Sequence, residues 1–89
     1  MSRLTPRQAA VLKYLAGLDP DGYLPTGSEI VFNLWRSNLF TSHEQGQRTC
    51  KQLWQKSLAE KVGWAEDNAR TWRATDAGRE LAKTLEASQ

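Results

Sequence analysis

The only histidine, His43, and the only cysteine, Cys50, are the residues best suited to nucleophilic or metal chemistry in this 89-residue chain. Placed on one helix they lie about 10 Å apart along its axis, beyond the reach of a nucleophile and its base. One of each also falls short of a zinc ligand set. Glu66-Asp67 brings two carboxylates together, but on a turn rather than in a pocket, and there is no glycine-rich phosphate loop. The chain is therefore not expected to be an enzyme or to hold a metal or cofactor. A different chemistry is carried by Gln45, Arg48, Gln52 and Gln55, flanked by Lys51 and Glu44. These fall on one side of a helix while Gly46, Cys50, Leu53, Trp54 and Ser57 fall on the other. Planar amides and a guanidinium carry the donor and acceptor sets that match adenine and guanine edges in the major groove of duplex DNA, with Arg48 foremost, then Gln45 and Gln52. A helix face that is merely solvated is polar too, so the stripe means little without a scaffold that presents it.

Caps and periodicity describe that scaffold. Thr5-Pro6 starts a first helix over Pro6–Ala16, because threonine caps and proline at the first position loses an N–H that would be orphaned anyway. Val11, Leu12, Leu15 and Leu18 recur at helical spacing, and Gly17 with Asp19-Pro20-Asp21-Gly22 ends the run. Tyr23-Leu24 reads as a short strand, kept extended by Pro25. Thr26-Gly27-Ser28-Glu29 is a capping box that opens a second helix reaching about Arg36, with Ile30, Val31, Leu34 and Trp35 as its apolar residues. Ser37–Thr41 is a connector whose Leu39 and Phe40 turn inward. Ser42-His43-Glu44-Gln45 reads as another capping box and opens the longest helix, to Leu58 or Ala59. Lys61–Trp64 and Thr71–Ala74 are β-prone runs joined through Glu66-Asp67-Asn68, a hairpin across which Trp64 and Trp72 can meet. Thr75-Asp76 caps a last helix with Gly78, Leu81, Ala82 and Leu85 on one face. Trp35, Trp54, Trp64 and Trp72 are expected in the core rather than as platforms for single-stranded bases.

The order helix–short strand–helix–helix–β-hairpin–helix predicts a mainly α (α+β) winged helix-turn-helix, one domain over residues 1–89. Its composition, 39% hydrophobic and 25% charged with a mean hydropathy of −0.64, suits a small globular domain. A lone cysteine forms no internal disulfide, and neither a membrane span nor a signal peptide is recognisable, so a cytoplasmic protein is expected. The net charge of +2 is unevenly spread. Arg3, Arg7 and Lys13 face no acid in the first helix region, and Arg48, Lys51, Lys56 and Lys61 outnumber Glu44 and Glu60 around the third. On the hairpin, Arg70 and Arg73 can hold phosphates, whereas Glu66 and Asp67 at its tip would repel them.

Two segments resemble known families. Leu4-Thr5-x-Arg7-Gln8-x-x-Val11 followed by Gly22-x-x-Pro25-Thr26-x-x-Glu29-Ile30 resembles the N-terminal DNA-binding domain of the LexA repressor. Trp72-Arg73-Ala74-Thr75-Asp76-Ala77-Gly78-Arg79-Glu80-Leu81 is similar to the wing-to-last-helix stretch of MarR-type regulators. Trp35 stands where the LexA-like pattern has its turn glycine, and the connector after it is longer. The resemblance implies binding to double-stranded DNA, usually as a dimer, and a small transcriptional regulator of repressor type is expected. One module covers a short site, so a homodimer is expected, with the last helix at Leu81 and Leu85 as its contact. The alternative is a winged helix that binds a protein partner instead, as an adaptor or inhibitor. The acidic hairpin tip, the low net charge and the tryptophans keep that alternative open.

Overall fold

A computed structural model describes residues 4–19, 21–64 and 70–87. It contains α1 (Pro6–Ala16), α2 (Gly27–Asn33), a 3₁₀ turn (Trp35–Ser37), α3 (Glu44–Gln55), β1 (Ala59–Trp64), β2 (Arg70–Ala74) and α4 (Asp76–Ala87). The two strands form one antiparallel sheet, and the whole is a mainly helical winged helix.

Local chemistry sets most boundaries. At α1, Thr5 Oγ1 accepts the Gln8 N–H at 3.2 Å and Gln8 Oε1 accepts the Thr5 N–H at 3.1 Å, so two orphan donors are satisfied reciprocally. Thr26 and Glu29 do the same at α2, both at 3.3 Å. Thr75 Oγ1 accepts the Gly78 N–H at 3.0 Å at the start of α4.

Four expectations need correction. No strand forms at Tyr23-Leu24. The extended segment meets the sheet just beyond it, where Pro25 O accepts the Trp72 N–H at 3.1 Å and Thr26 bridges Thr71. Pro25 has no N–H to give, so the pairing stays a single bridge. Helix α2 ends at Asn33, and the chain tightens through the 3₁₀ turn into Asn38 at φ 61°. No capping box opens α3. His43 makes no side-chain cap, and the Gln45 side chain turns back on Thr41, taking its N–H at 2.7 Å and donating to its hydroxyl at 2.9 Å. Helix α3 also stops at Gln55, short of Leu58. Ser57 adopts φ 63°, its N–H reaches Trp54 O at 3.0 Å, and the Leu58 N–H reaches Leu53 O at 2.9 Å. That is a Schellman ending with serine where glycine is usual.

The core joins Val11, Leu12 and Leu15 of α1 to Ile30 and Val31 of α2, to Phe40 of the connector, to Cys50 and Leu53 of α3, to Ala59, Trp72 and Ala74 of the hairpin, and to Ala82 of α4. Of the tryptophans expected there, only Trp72 is buried among those described. Trp35 is 47% and Trp54 41% exposed. The Trp64 side chain falls outside the described part. Its strand position pairs with Arg70 and Trp72 pairs with Lys61, so the two tryptophans are not cross-strand partners.

Helices α2 and α3 cross at backbone contact. A Cβ on Gly46 would sit 2.1 Å from Gly27 O and 2.5 Å from Val31 Cγ2, and one on Gly27 would sit 2.5 Å from Gln47 N. Gly46→Ala should therefore force the helices apart and cost about 1–3 kcal/mol in urea unfolding; a loss below about 0.5 kcal/mol would contradict this packing. Ser57→Gly should gain about 0.5–1 kcal/mol in the same assay, since glycine holds positive φ without strain, and a destabilised variant would refute the assigned helix ending.

Candidate nucleic-acid interface

Gly46, Thr49, Cys50 and Leu53 form the buried side of α3. At about 100° per residue, the direction opposite them runs through Glu44, Arg48, Lys51 and Gln55, all exposed. The outward stripe is thus rotated from the sequence reading: Thr49 belongs to the inner face, and Trp54 does not. Thr49 can be buried because its hydroxyl donates to Gln45 O at 2.7 Å.

The rotation separates the expected contact residues. Arg48, Lys51 and Gln55 lie on the outer face, and their side chains form no hydrogen bond or ion pair with described residues. Gln45 is half-buried on the shoulder, with both ends of its amide used by Thr41. Gln52 is exposed on the same shoulder. Its Oε1 accepts a hydrogen bond from Nε2 of the buried Gln8 at 2.9 Å, which leaves its two amide protons for other partners. This shoulder borders a groove shared with the start of α1, lined by Thr5, Arg7, Leu39, Arg48 and Gln52 among others. Arg7 Nε donates to Leu39 O, which ties the first turn of α1 to the connector before α3. Arg7 is a cation at this groove that the pattern-based stripe omitted; its place depends on a contact between segments far apart in sequence.

The hairpin arginines do not join the stripe in the expected way. Arg73 and Glu60 are register partners and form an ion pair, so this guanidinium is neutralised within the sheet. Around the pair lie Ser57, Thr75, Asp76 and Arg79, at the start of α4 rather than beside Arg48. Arg70 is half-buried opposite Trp64. The acidic tip, Glu66 and Asp67, lies outside the described residues.

Two further features were not anticipated. Gln47, exposed on α3, has its backbone against Gly27 at the first turn of α2. On the far side of α3 from Gln52, Lys61 Nζ sits 3.9 Å from the centre of the Trp54 ring. His43 is a surface residue, stacked on Trp35 with ring centres 5.8 Å apart and planes 18° from parallel. Burial pushes the Cys50 thiol up from 9.0 to about 12, so it stays protonated and is no nucleophile at neutral pH. Among the described residues, no cluster of histidine, cysteine and acids could hold a metal, and no helix is long and apolar enough to cross a membrane.

Solved structures with this arrangement exist. A mutant of Lactococcus lactis ZitR superposes with a TM-score of 0.71 at 22% identity, over 96% of this chain and 52% of that one. MepR, a transcription regulator of the Staphylococcus aureus multidrug efflux pump MepA, matches with a TM-score of 0.73 at 19% identity, over 96% of this chain and 57% of its own. MepR in complex with DNA gives 0.73 at 21% identity, over 94% and 63%. What these likenesses share with the chain is the winged-helix fold. The chain spans between about half and two thirds of the ZitR and MepR chains it matches. No protein-family model and no curated protein matches it. The LexA-like segments remain a resemblance of sequence.

The Gln8–Gln52 contact gives a stability test of this geometry. Gln8→Ala should cost about 1–2 kcal/mol in thermal or urea unfolding, because it removes the reciprocal cap and the partner of Gln52. An unchanged midpoint would mean that this link between α1 and α3 does not form.

Proposed function

We propose that the chain is a non-catalytic module that binds double-stranded DNA as part of a transcription regulator, laying the outer face of α3 in the major groove. The observation that carries this reading is the uncovered face of Arg48, Lys51 and Gln55, on a helix whose other side is locked into the core. Arg48 supplies a fork for guanine, Gln55 an amide for adenine, and Lys51 a point charge for a flanking phosphate. Gln52 reads a base only with the donors that Gln8 leaves it, and Gln45 only after releasing Thr41. Arg73 contributes to the hairpin's own geometry before it contributes to DNA. The fold shared with MepR, one structure of which contains DNA, supports the same reading.

One such module covers a short site, so we propose that it works as a pair and represses by occlusion. Leu81 and Leu85, the residues expected to pair, already pack partly against their own core, which leaves only their outer surface for a second copy. A protein-binding role is the second reading, and what favours it is the exposed aromatic surface at Phe32, which is 73% exposed, and Trp35.

The test is a salt titration of a labelled random duplex with the parent and Arg48→Ala proteins. The parent should bind with an affinity that falls steeply with salt, and Arg48→Ala should lose about 1–3 kcal/mol together with base preference on a selected site. Equal binding by the two proteins would remove α3 from the reading role, and no parental binding at low salt would favour the protein-partner reading.

A further inference from the structure

We propose that Lys61, held over the ring of Trp54, grips the DNA backbone on the strand bordering the groove that α3 occupies, and that this pair, rather than Arg73, is the hairpin's phosphate contact. The inference rests on the duplex-binding reading above. Its starting point is an oddity of β1. Lys61 is the register partner of the buried Trp72, so its side chain leaves the sheet on the face that carries Trp72 and Ala74 into the core. A lysine there must run its methylenes along apolar surface until the ammonium reaches water. It emerges at the end of α3, where Nζ rests 3.9 Å from the Trp54 ring centre.

The choice of partner matters for charge. Among the described residues, Arg73 is paired with Glu60, Arg79 with Asp76 and Lys83 with Glu80. Lys61 has no carboxylate partner among them; its neighbour is an aromatic face. An indole steadies a cation without cancelling its charge, and the three N–H donors remain able to take a phosphate oxygen. Trp54 follows Lys51 by three residues, so Lys51, Trp54 and Lys61 make one line from the outer face of α3 onto β1. A helix lying in the major groove places its flanks beside the backbones that bound that groove, and this line is the flank on the hairpin side. Trp54, at 41% exposure, is thereby explained as a platform rather than a misplaced core residue.

Duplex binding is measured against salt for the parent, Lys61→Gln, Trp54→Leu and, as a control, Lys83→Gln on α4. Circular dichroism melting confirms that each variant is folded. Lys61→Gln should weaken binding about 3–10-fold on every duplex, selected or random, and make the slope of log affinity against log salt shallower by about 0.9, the value of one phosphate contact. Trp54→Leu should weaken binding in the same sequence-independent manner, and Lys83→Gln should change neither quantity. A parental slope retained by Lys61→Gln overturns the proposal while leaving groove binding intact. A normal slope in Trp54→Leu alone overturns the platform role. If the parent itself binds no duplex, the functional reading fails and the Lys61 contact falls with it.

Discussion

The arrangement depends on how closely α2 and α3 can approach. Gly27 and Gly46 face each other with no room for a Cβ on either, and Val31 fills the space beside them. Glycine is a poor helix former, so one in the first turn of α3 on its inner face needs a packing return. The return is geometric. With backbone against backbone, Cys50 and Leu53 sink into the core formed with Leu12, Leu15 and Ile30, and the opposite face of α3 is left uncovered. That exposure is what leaves Arg48, Lys51 and Gln55 available to a partner. A similar close contact, Gly78 against Leu58 O, sets the start of α4 against the turn that follows α3.

Charge is arranged in a way that net charge conceals. A total of +2 is unremarkable, but its placement is not uniform. Around α4 and the outer face of the hairpin, cations are paired with acids within a few residues or across the strands. Along α3 and the start of α1, Arg48 and Lys51 stand without such partners among the described residues, and Arg7 bonds a carbonyl, which leaves its charge in place. Exposed ion pairs contribute little to stability, so their main consequence is where positive potential survives. It survives on the side of the molecule that carries the amides.

The caps at Thr5 and Thr75 and the capping box at Thr26 involve groups within three residues, and the order of the helices and the hairpin was legible from them and from periodicity, although the short strand expected at Tyr23-Leu24 does not form. The inward turn of Phe40 was legible too. What the sequence concealed depended on partners far along the chain or on competition between nearby ones. Gln45 chose Thr41 over the helix start, which removed a capping box that the pattern contained. Trp35 and Trp54 are large apolar residues that suit a core, but of the three tryptophans with described side chains Trp72 is the buried one, and burial is settled by which side chain arrives. Arg73 looked free until register placed Glu60 opposite it. The outer stripe was found in kind and misjudged in angle, because Thr49 looks polar until its hydroxyl is seen to bond its own helix.

The outward face of α3 is proposed to meet a partner, and that partner is duplex DNA. Amide chemical-shift mapping of the labelled protein during titration with a short random duplex tests it most directly. The largest shifts should fall on residues 44–55, with smaller ones at the first turns of α1 and α2 and at Lys61. Shifts confined to the surface of Phe32 and Trp35, or to α4, with α3 unmoved, would contradict it.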